Sequence, residues 1–185
     1  MRRPLWTLLV VLLAIPTLSR AQYGGDEGFP KLQIRGGVHQ PSGSRARDQS
    51  SLWPELGIDY VLSFDENEHP TDVVSVAYTA SSKNLMDATL TGLEYMRYWS
   101  GASEGTRGFY YGAGTGVFLE KVKVDEAFPS PGVDESGVKP GLTLVGGYSF
   151  GDYWFAEVRY IKLEELAPDV DISGLSFFIG ARRLL

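Results

Sequence analysis

Side chains suited to chemistry are few in this 185-residue chain: two histidines, His39 and His69, and no cysteine. Nucleophilic hydrolysis needs a base, a nucleophile and an orienting group held together. His39 stands beside QPSGS, so Ser42 or Ser44 with an acid could complete such a set, although a histidine in a polar loop is by default solvated. His69 lies in DENEHPTD and reads as a turn residue. The acids Asp65, Glu66 and Glu68 beside it lack the ordered spacing of a calcium loop and read as a solvated turn. No metal or cofactor site emerges. Without cysteine the chain can form neither a disulfide nor a lipid anchor on a cleavage-site thiol.

More distinctive are the charges embedded in otherwise apolar runs: Arg35, Asp59, Glu94, Glu120, Glu157 and Arg159. The runs that carry them alternate with period two, the signature of strands. KLQIRGGVH sets Leu32, Ile34, Gly36 and Val38 against Gln33, Arg35, Gly37 and His39. LWPELGIDYVLSF sets Leu56, Ile58, Tyr60, Leu62 and Phe64 against Glu55, Gly57, Asp59, Val61 and Ser63. Six further runs follow: DVVSVAYTA, ATLTGLEYMRYW, GFYYGAGTGVFLEKV, the two halves of LTLVGGYSFGDYWFAEVRYI, and ISGLSFFIGARRLL. In the fourth run Leu93 and Tyr95 are taken as the apolar face, although Arg97 shares it.

Eight alternating strands fit a soluble barrel with apolar residues inside or a membrane barrel with apolar residues outside. The non-apolar faces decide between them. They mix charges with small residues, including Gly112, Gly114 and Gly116 in succession, as a narrow packed lumen requires. An arginine on the lipid face at mid-bilayer would cost roughly 2–4 kcal/mol, so Arg159 and Glu157 are expected to point inward. The fold expected is an all-β, eight-stranded antiparallel up-and-down transmembrane β-barrel. Its lumen charges Arg35, Asp59, Glu94, Glu120, Glu157 and Arg159 are expected to form a paired network, because an unpaired buried ion is very costly. Lys139, water or a carboxyl kept protonated by a raised pKa would balance the surplus acids. Aromatics recur beside three same-side connections, and Phe64, Trp99, Tyr110, Phe150, Tyr153 and Trp154 are expected to form a girdle at the membrane–water boundary.

The amino terminus sets the compartment. MRRPLWTLLVVLLAIPTLSRAQ has Arg2 and Arg3, an apolar run from Leu5 to Ile15, and Ser19 and Ala21 at the positions of a cleavage site. Residues 1–21 therefore read as a signal peptide and 22–185 as the mature barrel domain; the apolar run is too short for a bilayer of roughly 30 Å. Cleavage would leave 14 basic against 23 acidic residues, a net charge near −9, which disfavours nucleic acid as a partner. With both termini in the periplasm, connections near 65–71, 100–107 and 150–152 face inward. Those near 40–50, 81–86, 122–136 and 164–171 face outward, and QPSGSRARDQS and VKVDEAFPSPGVDESG have the composition of exposed loops.

The segment GGYSFGDYWFAEVRYI followed by DISGLSFFIGARRLL resembles the penultimate hairpin and closing strand of small eight-stranded bacterial outer-membrane β-barrels of the OmpA- or OmpX-like kind, and the resemblance extends over the mature sequence. That family usually ends in an aromatic, whereas this chain ends Arg182-Arg183-Leu184-Leu185. The resemblance implies a monomer in the bacterial outer membrane that contacts outer-membrane lipid and lipopolysaccharide and is inserted by the barrel assembly machinery. Small barrels include structural proteins, adhesins, minor channels and lipid-modifying enzymes. The role expected is structural or surface interaction without chemistry, with a small-solute channel or a lipid-modifying enzyme as the alternatives. The His-x-Ser pattern of outer-membrane lipid A deacylases is absent, and eight strands enclose an interior that side chains can just fill.

Overall fold

The structure is a computed structural model that describes residues 32–49, 51–65, 69–83, 86–100, 107–125, 133–151, 153–164 and 171–182. The signal peptide expected over residues 1–21 lies outside them. Eight strands follow in order: β1 (Leu32–Pro41), β2 (Trp53–Phe64), β3 (Pro70–Lys83), β4 (Met86–Ser100), β5 (Arg107–Val124), β6 (Val133–Phe150), β7 (Trp154–Leu163) and β8 (Gly174–Arg182). A six-residue helix, α1 (Ser44–Gln49), follows β1. Each strand pairs antiparallel with its sequence neighbour, and β1 pairs with β8, closing the barrel. Among the described residues no helix is long and apolar enough to cross a membrane.

Alternation becomes two surfaces once the sheet closes. Leu56, Leu93, Leu142, Leu144, Phe177 and Ile179 are exposed on the outside, while Arg35, Asp59, Glu94, Glu157 and Arg159 are buried within. Apolar outside and charged inside is the polarity of a barrel whose solvent is lipid. From Asp72 the ladder runs through Arg97, Ala113, Leu144, Tyr160, Leu175 and Gln40 and returns to β3 about ten residues higher, a stagger that goes with strands tilted by roughly 40°. On the β3–β4 face the polar pair Asp72 and Arg97 lies ten positions from the polar pair Ser82 and Asp87. At that tilt, ten residues of about 3.3 Å rise span about 25 Å along the barrel axis, the height of a membrane barrel's apolar band.

The lumen is filled in three layers. At the end away from the chain termini, Ala46 of α1, Trp53, Met86, Phe118, Leu163 and Ile172 belong to an apolar plug. The segment after β1 is tied over it by backbone bonds from Ser42 N to Ser173 O (2.6 Å) and from Gly43 N to Asp171 O (2.9 Å). A charged layer lies in the middle. Toward the terminal end Val61, Val73, Met96, Tyr98, Tyr110 and Val145 form a second cluster.

Large inward side chains lie over glycines. A Cβ on Gly180 would strike the Phe155 ring, and one on Gly57 would lie 2.5 Å from the Arg35 guanidinium carbon. Along β5 the limit is backbone: a Cβ on Gly116 would meet the carbonyl of Leu93 and the Cα of Glu94.

Three expectations need correction. Of the 122–136 segment, read as a loop, residues 122–124 and 133–136 are strand, with Val124 paired to Val133 and Val122 to Glu135; their charges do not prevent pairing, which uses backbone groups. Tyr110 lies on the inner face with Gly112 and Gly114 and is 9% exposed, so it belongs to the lumen rather than the girdle. Register shifts between Val61 and Ser63 and between Ser63 and Phe64 turn Phe64 from the outer face onto the terminal-side inner cluster. Trp99, Phe150, Tyr153 and Trp154 are exposed at the terminal end, with Phe109 and Tyr111 beside them.

Gly116 and Gly146 give opposite tests of this packing, because a Cβ on Gly146 meets nothing within 4 Å. In urea unfolding from detergent micelles, Gly116→Ala is expected to lose about 1–3 kcal/mol, and Gly146→Ala to stay within about 0.5 kcal/mol of the parent. Equal effects would show that the β4–β5 approach is not tight.

A charged lumen as the candidate functional site

Five of the six charges expected to share the lumen come together in its middle layer. Period two on β7 puts Glu157 and Arg159 on one face, and Arg159 Nε donates to Glu157 Oε2 at 2.8 Å. The same guanidinium donates through Nη2 to the Tyr98 hydroxyl (2.8 Å) and approaches Asp59 Oδ2 (3.5 Å). Its Nη1 lies 3.9 Å from Glu94 Oε2. From β1, Arg35 pairs with the other Asp59 oxygen and donates to Ser75 Oγ at 2.9 Å. Asp59 thus bridges the two arginines. Phe178 stands between their charges, 4.9 Å from the Arg35 guanidinium carbon and 5.7 Å from that of Arg159, both over its ring. Thr143 donates to Glu94, and Tyr110 donates to Glu157 Oε1 at 3.0 Å.

Glu120 departs from the expectation. It is 1% exposed but lies apart from the arginine network, and its Oε2 has no hydrogen-bond partner. Lys139, one strand away, is the cation that offsets its charge, and it also approaches Glu164 at 3.8 Å. The reason is height: Glu120 pairs with Leu90 and Gly137, level with the apolar plug and not with Asp59.

His39 does not face Ser42 or Ser44. It shares the inner face of β1 with Arg35, and its Nδ1 lies 2.9 Å from Ser176 Oγ while Nε2 lies 2.9 Å from the Ile172 carbonyl. The Ser176 hydroxyl also lies 2.7 Å from Glu55 Oε2. A carbonyl can only accept, so Nε2 carries a hydrogen. Ser176 has a single hydrogen to give, so both of its contacts are satisfied only when one further proton resides on Glu55 or on Nδ1. The serine sits between histidine and acid, and all three are buried. A hydrolytic serine instead needs the histidine between itself and the acid, and an open face toward substrate. The sequence does not single out Glu55, Tyr98, Ser176 or Phe178, although parity with Asp59 for Glu55, with Glu94 for Tyr98, and with Gly180 for Ser176 and Phe178 places each of them inward.

At the terminal end a cavity of about 20 Å³ is lined by Gln33, His69, Tyr98, Tyr110, Glu157 and Arg182, among others, room for about one water. His69 approaches Asp65 at 3.4 Å. Among the described residues no cluster of histidine and acid could hold a metal ion.

No protein-family model matches the sequence, and no curated protein matches it. The N-terminal β-barrel domain of Pseudomonas aeruginosa OprF is similar in structure, with a TM-score of 0.63 at 11% identity over 84% of this chain and 99% of that one. Neisserial surface protein A gives a TM-score of 0.49 at 13% identity over 82% of this chain and 94% of that one. The chain has the fold of the small eight-stranded outer-membrane barrels.

Removing one member of a buried ion network leaves the others uncompensated. Arg159→Met, which strands Glu157 and Glu94 and leaves Asp59 with Arg35 alone, is expected to cost about 3–5 kcal/mol in urea unfolding from micelles. Glu55→Gln keeps a hydrogen-bonding group toward Ser176 Oγ and is expected to cost less than about 1 kcal/mol. The reverse order would show that the layer is not held by Arg159.

Proposed function

We propose that this chain is a sealed outer-membrane barrel whose role is structural or lies in surface contact, without passage of solute and without catalysis. The observation that carries this reading is the filled lumen: an apolar plug, a paired charge layer and a second hydrophobic cluster around Tyr98 and Tyr110 follow one another along the axis. Water has room in the terminal-end cavity, but the Asp59, Arg35 and Arg159 network lies across the way onward. Opening a path would separate buried charges from their partners, a cost of several kcal/mol per ion.

The apolar band of about 25 Å supports a membrane setting. The resemblance of residues 1–21 to a signal peptide supports export, cleavage before Gln22 and periplasmic termini. In that setting the partners are outer-membrane lipid and lipopolysaccharide along the walls and the barrel assembly machinery during insertion, with a monomer as the working unit. No catalytic role is assigned, because the histidine–serine–acid group found among the described residues is buried and arranged in the wrong order.

The refolded protein is expected to require detergent, to migrate differently on a denaturing gel with and without boiling, and to give no steady conductance in planar bilayers at neutral pH. Large, reproducible open-channel steps absent from an unfolded control would move the assignment to a pore. A folded monomer in detergent-free buffer would move it to a soluble barrel.

A further inference from the structure

Arg97 is the anomaly of β4. It shares the outward face with Leu93, Tyr95 and Trp99, where an arginine is expensive unless it reaches the membrane boundary. Its height resolves the cost, since the Asp72–Arg97 pair marks the terminal-side edge of the apolar band. Asp72 is already well supplied there: Ser63 Oγ donates to Oδ2 at 2.5 Å and the Tyr95 hydroxyl to Oδ1. Arg97 contributes one long contact to it, Nη1 to Oδ1 at 3.4 Å, and its side chain is 57% exposed. Besides Asp72, the Arg97 side chain interacts with the Tyr95 hydroxyl on its own strand. A guanidinium carries five N–H donors in a planar fork that matches two oxygens of one phosphate, and more than half of this side chain is exposed. One step nearer the terminal end, Trp99 stacks on Tyr111 with ring centres 5.7 Å apart, an arrangement suited to the interfacial zone.

We infer that Arg97, steadied by Asp72 and flanked by Tyr95 and the Trp99–Tyr111 stack, binds the phosphodiester group of a phospholipid in the leaflet on the terminal side. The inference rests on the membrane reading above, in which that leaflet is the periplasmic one. The occupant is a phospholipid and not free phosphate because the site is an open wall with a single cation. Affinity must also come from acyl chains lying over Leu93 and Val76, both exposed on the same face. Because hydroxyls and Arg97 already occupy Asp72, a headgroup amine adds little, and the site reads the phosphate itself.

The test counts lipids retained on the full barrel in detergent by native mass spectrometry, with phosphatidylethanolamine, phosphatidylglycerol and diacylglycerol added in turn. The parent protein is expected to retain both phospholipids about equally and diacylglycerol far less. Arg97→Gln should weaken phospholipid retention on the order of tenfold, and Arg97→Lys should fall between. Arg97 is exposed, so the variants should keep the boiled-versus-unboiled gel shift that reports a folded barrel. Equal retention by parent and Arg97→Gln, equal retention of diacylglycerol, or displacement of the lipid by inorganic phosphate would each overturn the inference. A parent barrel that still needs detergent in those cases would leave the membrane reading standing, whereas one folded without detergent would remove both.

Discussion

In hydrocarbon a backbone N–H or C=O without a partner has no water to turn to, and each costs several kcal/mol. Most features of this molecule follow from that constraint. The sheet has to close, and β1 meets β8 through nine register pairs from Gln33–Arg182 to Pro41–Gly174. Closure removes every edge within the band and forces the side chains into two sets, one for lipid and one for the lumen. Above the band the constraint lapses, so β5 and β6 continue as paired strands through Lys121, Lys123, Asp134 and Glu135, residues that a lipid face would not accept.

Closing eight strands creates a second demand, since the interior must be packed and cannot stay dry and empty. The answer is complementarity between large and absent side chains. Phe155 occupies the room above Gly180, Tyr110 that above Gly147, and Phe118 that beside Gly92 and Gly141. Where the packing turns polar, charges are paired within the layer. Asp59 accepts from two arginines, Phe178 spaces their charges, and Tyr98, Tyr110, Ser75 and Thr143 add hydrogen bonds, while Arg35 Nε, Glu94 Oε2 and Arg159 Nη1 make none. The result is a column in which moving one charge disturbs several others. That makes the interior rigid.

The outer wall carries its own solution to the charge problem. Arg97 and Asp72 sit where the apolar band ends, as Lys162 and Asp171 do at the other end, paired at 3.2 Å. Among the described residues these two pairs hold charge at the boundaries of the lipid face, where a headgroup or water can meet it.

Much of this was legible in the order of residues. Period two assigns a side chain to a face wherever no bulge intervenes, so the inward direction of Arg35, Asp59, Glu94, Glu157 and Arg159 needed only counting, and the same counting carries His39, Glu55, Tyr98 and Ser176 inside. Tyr110 was misassigned by its nearness to a turn, although its parity with Gly112 already pointed inward. Parity could not reach Phe64, because the register shifts after Val61 come from how β2 meets β3. Nor could it reveal α1, a single turn too short to show helical periodicity. Sequence by itself determined the strands, their faces and the polarity of the two surfaces, because these depend on neighbours one and two residues apart. Only the closed structure decided which inward groups meet: Asp59 and Arg159 are a hundred residues apart in the chain, and the stagger that brings them to one height while lifting Glu120 out of reach is a property of closing the whole sheet.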